Sequence, residues 1–203
     1  FERRGGFDLT IGNPPWIKVT WDEAGFMADY EPLYEIRNYR KPELNNLRAE
    51  TIEKYSLREE YLSDYEESEA TQGFLNAVQN YPILQGMQTN LYKNFLPRAW
   101  SLESEIGATS FVHPDGIFDD PKGGEIRSNI YQRLRYHFQF HNELGLFPEA
   151  HHTNTFSINI YGRKGSKVKF DSISNLFDPK TIDECFQGDG KSTVPGIKDD
   201  NHE

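Results

Sequence analysis

The chain has 203 residues, long enough for one domain with a hydrophobic core, and a formal net charge of −10. Its single cysteine, Cys185, excludes an internal disulfide, and no apolar run approaches the roughly 20 residues that span a bilayer. The negative charge argues against a nucleic-acid partner, but 14 acidic and six basic residues between Asp22 and Ala70 account for −8 of it. That objection is therefore largely confined to one stretch of the chain.

The two ends of the sequence indicate where the chain comes from. It begins with Phe1 rather than Met, reaches a strand pattern within a few residues, and ends in a polar stretch rich in Gly, Asp and Lys. We therefore expect a piece of a longer protein. No signal peptide opens the chain, so the cytoplasm is its expected location.

The first predicted element is a short strand. Phe7, Leu9 and Ile11 alternate with polar residues, and the Asn13-Pro14-Pro15 segment then stops the pattern, because proline fixes φ and has no amide hydrogen. The charged, tyrosine-rich residues that follow contain helical patches interrupted by prolines. We interpret residues 22–86 as an acidic helical insertion.

The remaining elements alternate between helix and strand. Thr89 or Asn90 can cap a helix with Leu91, Phe95, Ala99 and Leu102 on one face, ended by Gly107. Strands are predicted at residues 108–112, 136–140 and 156–160, and a helix at residues 124–134. This order predicts an α/β fold, a partial Rossmann-like sheet that is mostly parallel and finishes in an antiparallel pair.

The predicted organisation has four parts. They are the catalytic strand and loop (1–21), the helical acidic insertion (22–86), the remainder of the sheet subdomain (87–165), and a polar tail (166–203). We expect the tail to lead toward a target-recognition region that the chain lacks.

The loop after the first strand has the groups needed to hold a planar amine. In open α/β sheets, ligands bind beyond the carboxyl ends of the strands. The Asn13 side chain and the Pro14 carbonyl provide two acceptors, and Trp16 provides a flat face for stacking. Two acceptors orient an exocyclic NH₂ group toward an incoming methyl group, so catalysis would be chiefly positioning.

This segment resembles the catalytic motif of amino-group methyltransferases. Residues 7–16, Phe-Asp-Leu-Thr-Ile-Gly-Asn-Pro-Pro-Trp, are most similar to the motif of adenine-N6 DNA methyltransferases. Residues 90–95 resemble the helix start that lines the cofactor pocket in that family, and residues 107–118 the strand and turn that follow it. Residues 146–161 resemble the late motif whose aromatic residue stacks on the flipped base.

The resemblance implies a cofactor, a substrate and a set of site residues. The cofactor would be S-adenosylmethionine (AdoMet), contacted by Asn13, Leu91 and Tyr92, and the substrate an adenine flipped out of double-stranded DNA. Asn13, Pro14, Pro15 and Trp16 would be the catalytic residues, with Phe147 as the second stacking ring opposite Trp16. The chain is most similar to large single-chain enzymes of restriction–modification and phage-defence systems.

Two departures from the family limit this prediction. Asn90 stands where the family has an acidic residue, and the glycine-rich cofactor motif, which lies upstream in the family, is absent. We therefore expect this piece alone to bind AdoMet poorly and to be inactive.

Simpler interpretations of several residues stay open. Tyr92, Phe95 and Phe147 could be core residues, and for Phe95 the core is favoured. His151 and His152 have no acidic or cysteine partner at ligand spacing, so no metal site is predicted. The cations at 163, 164, 167 and 169 either contact phosphate or are solvated at a strand end.

Other functions also remain open at this point. The same loop occurs in enzymes that methylate a protein glutamine amide or a guanine amine of ribosomal RNA. A third alternative is a non-catalytic protein-interaction module that uses the acidic insertion as its contact surface. The oligomeric state, the recognised DNA sequence and any nuclease activity cannot be predicted from these residues.

Overall fold

The computed structural model describes residues 5–37 and 39–188. Five strands occupy Phe7–Gly12 (β1), Glu103–Pro114 (β2), Leu134–His141 (β3), Thr155–Tyr161 (β4) and Asp171–Leu176 (β5). The first four helices lie in the predicted insertion, at Glu23–Ala28 (α1), Leu33–Arg37 (α2), Lys41–Tyr55 (α3) and Arg58–Asn76 (α4). Four more follow, at Leu91–Leu102 (α5), Gly116–Asp119 (α6), Gly124–Arg133 (α7) and Lys180–Gln187 (α8).

The strands form one mixed sheet in the order β1-β2-β4-β3-β5. β1 pairs in parallel with β2, and β3 with β5, whereas β4 is antiparallel to both of its neighbours. Four strands therefore run in one direction and β4 in the other. The predicted α/β class, with a mostly parallel sheet and an antiparallel β3–β4 pair, is confirmed.

The boundary between α5 and β2 differs from the prediction. The helix ends at Leu102 and the strand already begins at Glu103, so Gly107 lies inside β2 rather than at the helix end. The register between β1 and β2 shifts at this point, from Phe7 opposite Glu103 to Leu9 opposite Ala108. A Cβ atom at Gly107 would lie 2.6 Å from the Phe7 carbonyl oxygen, so the glycine permits close approach of the two strands.

The buried face of α5 also differs from the predicted stripe. Tyr92, Leu96, Ala99 and Trp100 are buried, while Phe95 is 45% exposed. The prediction that Phe95 is a core residue was wrong, because the helix is rotated by about one residue from the expected face. Asn90 is the N-cap, but its side chain makes no capping hydrogen bond.

The segment predicted as a polar tail contains β5 and α8, which the sequence analysis missed. β5 adds to the sheet beside β3, with Ser172 opposite His137 and Ile173 opposite Phe138. The two elements are short, and all of their exposed residues except Phe186 are polar, so the composition of the segment resembles that of a tail. The last part of the predicted tail, residues 189–203, lies outside the described residues.

The core is divided between the two faces of the sheet. On one face, α5, α6 and α7 bury Leu96, Ile117, Ile126 and Ile130 against Phe111 and Tyr161 of the sheet. On the other face, Phe138, Phe140 and Phe156 pack with Leu176. Both clusters include Trp16 at their margin, so this residue lies where the two meet.

Aromatic and charged contacts hold the insertion together. Glu23 pairs with Arg48 and accepts a hydrogen bond from the Tyr61 hydroxyl at 2.9 Å. The Tyr61 ring also contacts Trp21 edge-on at 5.4 Å. None of the helices in residues 5–37 and 39–188 is long and apolar enough to cross a membrane.

Candidate active site

The Asn13–Trp16 loop leaves the sheet at the carboxyl end of β1 and is anchored on both sides. The Trp16 indole Nε1 donates a hydrogen bond to the Val112 carbonyl oxygen of β2 at 3.3 Å. The Ile17 carbonyl oxygen accepts a hydrogen bond from the Leu91 amide at the start of α5, at 3.0 Å. The loop is therefore fixed against both a strand and a helix.

A cavity of about 470 Å³ opens beside this loop. Asn13 and Pro15 are exposed, Pro14 is buried, and Trp16 is partly buried. The lining residues come from the loop and from the β3–β4 connection: Asn13, Pro14, Pro15, Trp16, Ile17, Phe147, Glu149, Ala150 and Asn154. The structure therefore brings the four predicted loop residues and Phe147 to one cavity at the sheet edge.

Trp16 and Phe147 contact each other directly in this cavity. Their ring centroids are 4.9 Å apart with the planes inclined by 50°. Both rings also pack on Phe156, at 5.9 Å and 4.8 Å. A planar base inserted between two rings would need a separation of about 7–8 Å, twice the contact distance of carbon atoms. In this arrangement the two rings contact one another rather than flanking an open slot.

The loop that carries Phe147 is organised by Asn142, a residue that the sequence analysis missed. The Asn142 side chain is buried and donates to the carbonyl oxygens of Phe147 and Ala150, each at 2.8 Å. It also accepts a hydrogen bond from the Phe147 amide at 2.9 Å. In the sequence, the only signal for this role is an asparagine directly after a predicted strand, and this signal is weak.

Tyr92 and Leu91, the other predicted cofactor-binding residues, do not line this cavity. Tyr92 lies at a second cleft, of about 630 Å³, that also includes Lys18, Asn90, Lys93 and Asp120. The Tyr92 ring is buried and stacks on His113 with centroids 5.3 Å apart. Burial raises the pKa of the Tyr92 hydroxyl far above its ordinary value. Leu91 contributes its backbone amide to the loop, as described above.

The second cleft is charged on one side. Lys93 is buried, and its Nζ lies 3.0 Å from Asp120 Oδ2. Burial alone would raise the pKa of Asp120, but the Lys122 amide and the Lys93 ammonium outweigh it and hold the pKa below its ordinary value. The buried Asn90 Oδ1 accepts no hydrogen bond from any described residue, so it is an available acceptor near this cleft.

A buried polar cluster lies behind the two clefts, on the sheet. Asp115 accepts hydrogen bonds from Ser157 at 2.5 Å and from Gln139 at 2.6 Å. Burial raises the pKa of Asp115, but His137, Ser157 and Gln139 together lower it below its ordinary value. These groups position the turn after β2. Asp115 and Ser157 are buried, and neither lines either of the two clefts.

His113 adjoins this cluster and is neutral at physiological pH. Its Nδ1 lies 2.9 Å from the Pro114 carbonyl oxygen, so Nδ1 carries the proton. Its Nε2 accepts hydrogen bonds from the Tyr161 hydroxyl at 2.8 Å and the Asn159 amide at 3.0 Å. Burial lowers the pKa of His113 to about 4.

The histidine pair at 151 and 152 is placed on an exposed loop. The ring centroids are 4.1 Å apart, and His151 Nδ1 lies 2.8 Å from the Thr153 hydroxyl. Within residues 5–37 and 39–188, no group of three or more His, Cys, Asp or Glu side chains is arranged to hold a metal ion.

The fold and the site together define an α/β sheet domain with a cavity of hydrogen-bond acceptors and aromatic rings at the carboxyl end of its first strand. No protein-family model matches the sequence, and no curated protein matches it.

Solved structures resemble the chain weakly. One is a Listeria monocytogenes protein described as a class I S-adenosylmethionine-dependent methyltransferase. Its alignment covers 51% of this chain and 33% of the Listeria protein, with 15% identity and a TM-score of 0.37. DrdV in complex with DNA covers 83% of this chain and 15% of its own, with 13% identity and a TM-score of 0.43. The ATP-dependent Type ISP restriction–modification enzyme LlaBIII bound to DNA covers 88% of this chain and 11% of its own, with 11% identity and a TM-score of 0.42.

The chain therefore spans a third or less of each of these proteins. TM-scores this low do not assign a substrate or a reaction to it.

Proposed function

We propose that this chain forms the target-base site of an AdoMet-dependent DNA methyltransferase that acts on the N6 amine of a flipped adenine. The observation that carries the proposal is the cavity at the end of β1, where an exposed Asn13 amide and the Trp16 ring line the same space. Phe147 reaches this cavity from a separate part of the chain. An anchored loop at the carboxyl end of a strand is where open α/β sheets bind ligands.

The chemistry of the cavity suits a neutral planar amine. Asn13 Oδ1 and the Pro14 carbonyl oxygen would accept the two amine hydrogens, and this orients the nitrogen lone pair out of the ring plane. Asn13 is uncharged, so it would polarise the amine without removing a proton before attack. The Trp16 ring would hold the base by stacking, and Pro14 and Pro15 add no competing donors because proline has no amide hydrogen.

The two aromatic rings would have different roles in holding the base. The Trp16 ring is held by its own hydrogen bond to Val112, whereas Asn142 holds Phe147 only through its backbone. Because the rings are only 4.9 Å apart, the base would stack on Trp16 and displace Phe147 by about 2–3 Å. Trp16 is then the fixed face and Phe147 the ring that moves.

AdoMet would supply an activated methyl group when bound. The residues present fit one side of such a site. Asn13 lines the cavity, and the buried Asn90 Oδ1 has no hydrogen-bond partner among the described residues, so it could accept from an amine or a hydroxyl group. Tyr92 would contribute through its packed ring, and Leu91 through the backbone amide that holds the loop.

Asn13→Ala tests this proposal. In the full-length protein we expect loss of methyl transfer to duplex DNA with an unchanged melting temperature, because the Asn13 side chain is exposed and faces the cavity. The assay measures N6-methyladenine in digested DNA after incubation with AdoMet. Asn13→Asp, which keeps an acceptor oxygen, is the matched control and should retain part of the activity. Near-normal methylation by Asn13→Ala would contradict the proposed role.

The substrate class is tested in the same assay with wild-type protein. Duplex DNA, a translation release factor and ribosomal RNA are offered in parallel with labelled AdoMet. We expect label in DNA alone. Label only in the protein or only in the RNA would replace the DNA proposal with one of the other amine-methylating functions.

Trp16 substitutions test the stacking role. Trp16→Ala should weaken base binding by roughly 1–3 kcal/mol, the usual contribution of a base–aromatic contact. Trp16→Phe retains a ring but loses the bond to Val112, so it should cost less. The same truncation at Phe147 should also cost less than at Trp16, because Phe147 has to move for the base to enter. Unchanged base affinity in Trp16→Ala would remove the indole from the site.

A further inference from the structure

A smaller cavity, separate from the two clefts described above, lies at the opposite end of the sheet from the Asn13–Trp16 loop. Asn13 follows the end of β1, whereas this cavity is at the start of β2, which runs parallel to β1. Its volume is about 170 Å³, several times the roughly 30 Å³ that one water occupies in the liquid. The lining residues are Trp100, Glu103, Ser104, Arg133, Arg163 and Lys164.

Three polar atoms of these lining residues are buried without a hydrogen bond to any described residue. They are the Trp100 Nε1, the Arg133 Nε and the Glu103 Oε2. The Glu103 side chain is only 3% exposed, so water has little access to its carboxylate. Buried polar groups are almost always paired in folded proteins. Two donors and one acceptor without hydrogen bonds at one small cavity therefore indicate a ligand with both kinds of group.

The cavity walls are fixed by the surrounding chain. The Arg133 guanidinium lies over the Trp100 ring, 4.9 Å from its centre. The Thr109 hydroxyl donates to Glu103 Oε1 at 2.6 Å, which leaves Oε2 for a ligand. The Arg163 carbonyl oxygen accepts a hydrogen bond from Arg135 Nη2 at 2.6 Å, so the segment after β4 is tied to the start of β3.

The three cations have only weak partners in the chain. Arg133 Nη1 is 3.7 Å from Glu103 Oε2, too far for a hydrogen bond. Arg163 Nη1 is 3.8 Å from Glu105, and both side chains are well exposed, so solvent screens this pair. Lys164 donates to the Asn129 amide oxygen at 3.3 Å. The cavity therefore has positive charge that a ligand can neutralise.

We propose that this cavity binds a phosphate group that retains a hydroxyl, either inorganic phosphate or the terminal phosphate of a small monoester. Its anionic oxygens would accept hydrogen bonds from Trp100 and from the three cations, Arg133, Arg163 and Lys164. The bonds from the cations would be charge-assisted. Its hydroxyl would donate to Glu103 Oε2. Sulfate and the phosphodiesters of DNA have no such hydroxyl, so they would be repelled by the carboxylate. This inference does not depend on the proposed methyltransferase function.

Titration with inorganic phosphate tests the site. The 203-residue chain is titrated by calorimetry at constant ionic strength, and one saturable site is expected. Arg163→Gln and Lys164→Gln should each weaken binding about tenfold, as expected for loss of one charge-assisted hydrogen bond. Lys167→Gln removes the same charge from an exposed position of the same segment that does not line the cavity, so it should bind as the wild type does. The absence of saturable binding, or equal weakening by Lys167→Gln, would overturn the proposal.

Sulfate distinguishes the role of Glu103 from simple charge attraction. The wild type should bind phosphate at least about tenfold more tightly than sulfate, because only phosphate supplies the shared proton. Glu103→Gln keeps an acceptor for Thr109 and adds an amide donor, so sulfate should now bind as well as phosphate. Equal binding of the two anions by the wild type would contradict the proposal.

Two further ligands identify the source of the phosphate. Binding of adenosine monophosphate in competition with inorganic phosphate would assign the site to monoesters, and its failure to bind would assign it to the free ion. Both results agree with the proposal. Displacement of phosphate by a DNA duplex with blocked ends would refute it, since that duplex carries only diesters.

Discussion

β1 and β4 have the same alternation of apolar and polar residues, but β4 is at least partly buried on both faces, whereas most of β1 is exposed. In β4 the polar residues Ser157 and Asn159 are completely buried. In β1 the apolar residues Phe7, Leu9 and Ile11 are 49%, 59% and 73% exposed. Polarity alone would have predicted the reverse in both cases.

The positions of the two strands in the sheet explain the difference. β4 lies between β2 and β3, with α5 to α7 covering one of its faces and an aromatic cluster on the other. β1 is one of the two edge strands of the described sheet and pairs only with β2 among the described strands. A period of two therefore indicates a strand, but what packs on each face depends on the strand's neighbours.

A polar residue on a buried face requires partners, and β4 has them. Ser157 donates to Asp115, and Asn159 donates to His113 and to the Ser157 hydroxyl. The bonds to Asp115 and His113 join β4 to β2 and its turn, and β2 lies next to the strand that carries the candidate catalytic loop. The polar face of β4 therefore helps to position the sheet edge at which the larger cavities open.

Removal of Asp115 should have the largest effect on this arrangement. Asp115→Ala would leave the Ser157 hydroxyl and the Gln139 amide without their acceptor in a buried place, and we expect a loss of about 3–5 kcal/mol in the free energy of unfolding. Urea denaturation monitored by circular dichroism measures it. Asp115→Asn keeps an acceptor oxygen and should lose less. A loss below about 1 kcal/mol in Asp115→Ala would mean that this cluster does not stabilise the sheet.

The pH dependence of stability provides the next largest effect. The pKa of His113 is about 4 in the folded chain, against an ordinary value of 6.5. Between these values the unfolded chain binds a proton that the folded chain does not, so stability should fall as the pH is lowered from about 6.5 to 4. The shift corresponds to a total of about 3 kcal/mol.

The pH effect is measured as the urea midpoint at several pH values in that window. His113→Gln removes the titrating group, so its unfolding free energy should depend less steeply on pH than that of the wild type. The pKa of Asp115 is also lowered, so the stability that Asp115 contributes is lost only below this window, as the pH falls past its ordinary value of 3.8. An identical slope in the wild type and His113→Gln would show that His113 can be protonated in the folded state.

The sequence predicted most of the sheet but not what packs on it. Alternation located β1, β3 and β4, and the start of α7 was found to the residue. The boundary at Leu102 was missed because glycine commonly ends helices, and Gly107 was interpreted in that way. Its role in the structure is to allow close contact between two strands. β5 and α8 were missed because their apolar residues are few and their contacts are with distant parts of the chain.

The candidate site was predicted to a similar degree. The local motif indicated Asn13 to Trp16, and the resemblance added Phe147, and all of them line one cavity. Their catalytic roles remain predictions. The contact between Trp16 and Phe147, the Asn142 hydrogen bonds and the place of Tyr92 against His113 depend on residues far apart in sequence. Patterns of period two or 3.6 carry no information about such pairs.

The apolar side of β4 gives a third, smaller effect. Ile158 packs against the cluster formed by Phe138, Phe140 and Phe156. Ile158→Thr would place a hydroxyl group in this partly buried site, and we expect a loss of about 1–2 kcal/mol in the free energy of unfolding. Ile158→Val, which only removes a methylene group, is the control and should lose about 1 kcal/mol or less. A neutral Ile158→Thr would mean that the cluster does not extend to this residue.

The same substitution in β1 should have almost no effect, and this is the sharpest test of the comparison. Ile11 is 73% exposed, so Ile11→Thr removes little buried apolar area, and threonine keeps the β-branched shape that strands favour. We expect a change within about 0.5 kcal/mol, as for other surface substitutions. Denaturation of Ile11→Thr and Ile158→Thr under the same conditions measures the difference between the two strands. If Ile11→Thr costs as much as Ile158→Thr, then β1 is covered in solution, and the exposure of its apolar residues is not a property of the folded chain.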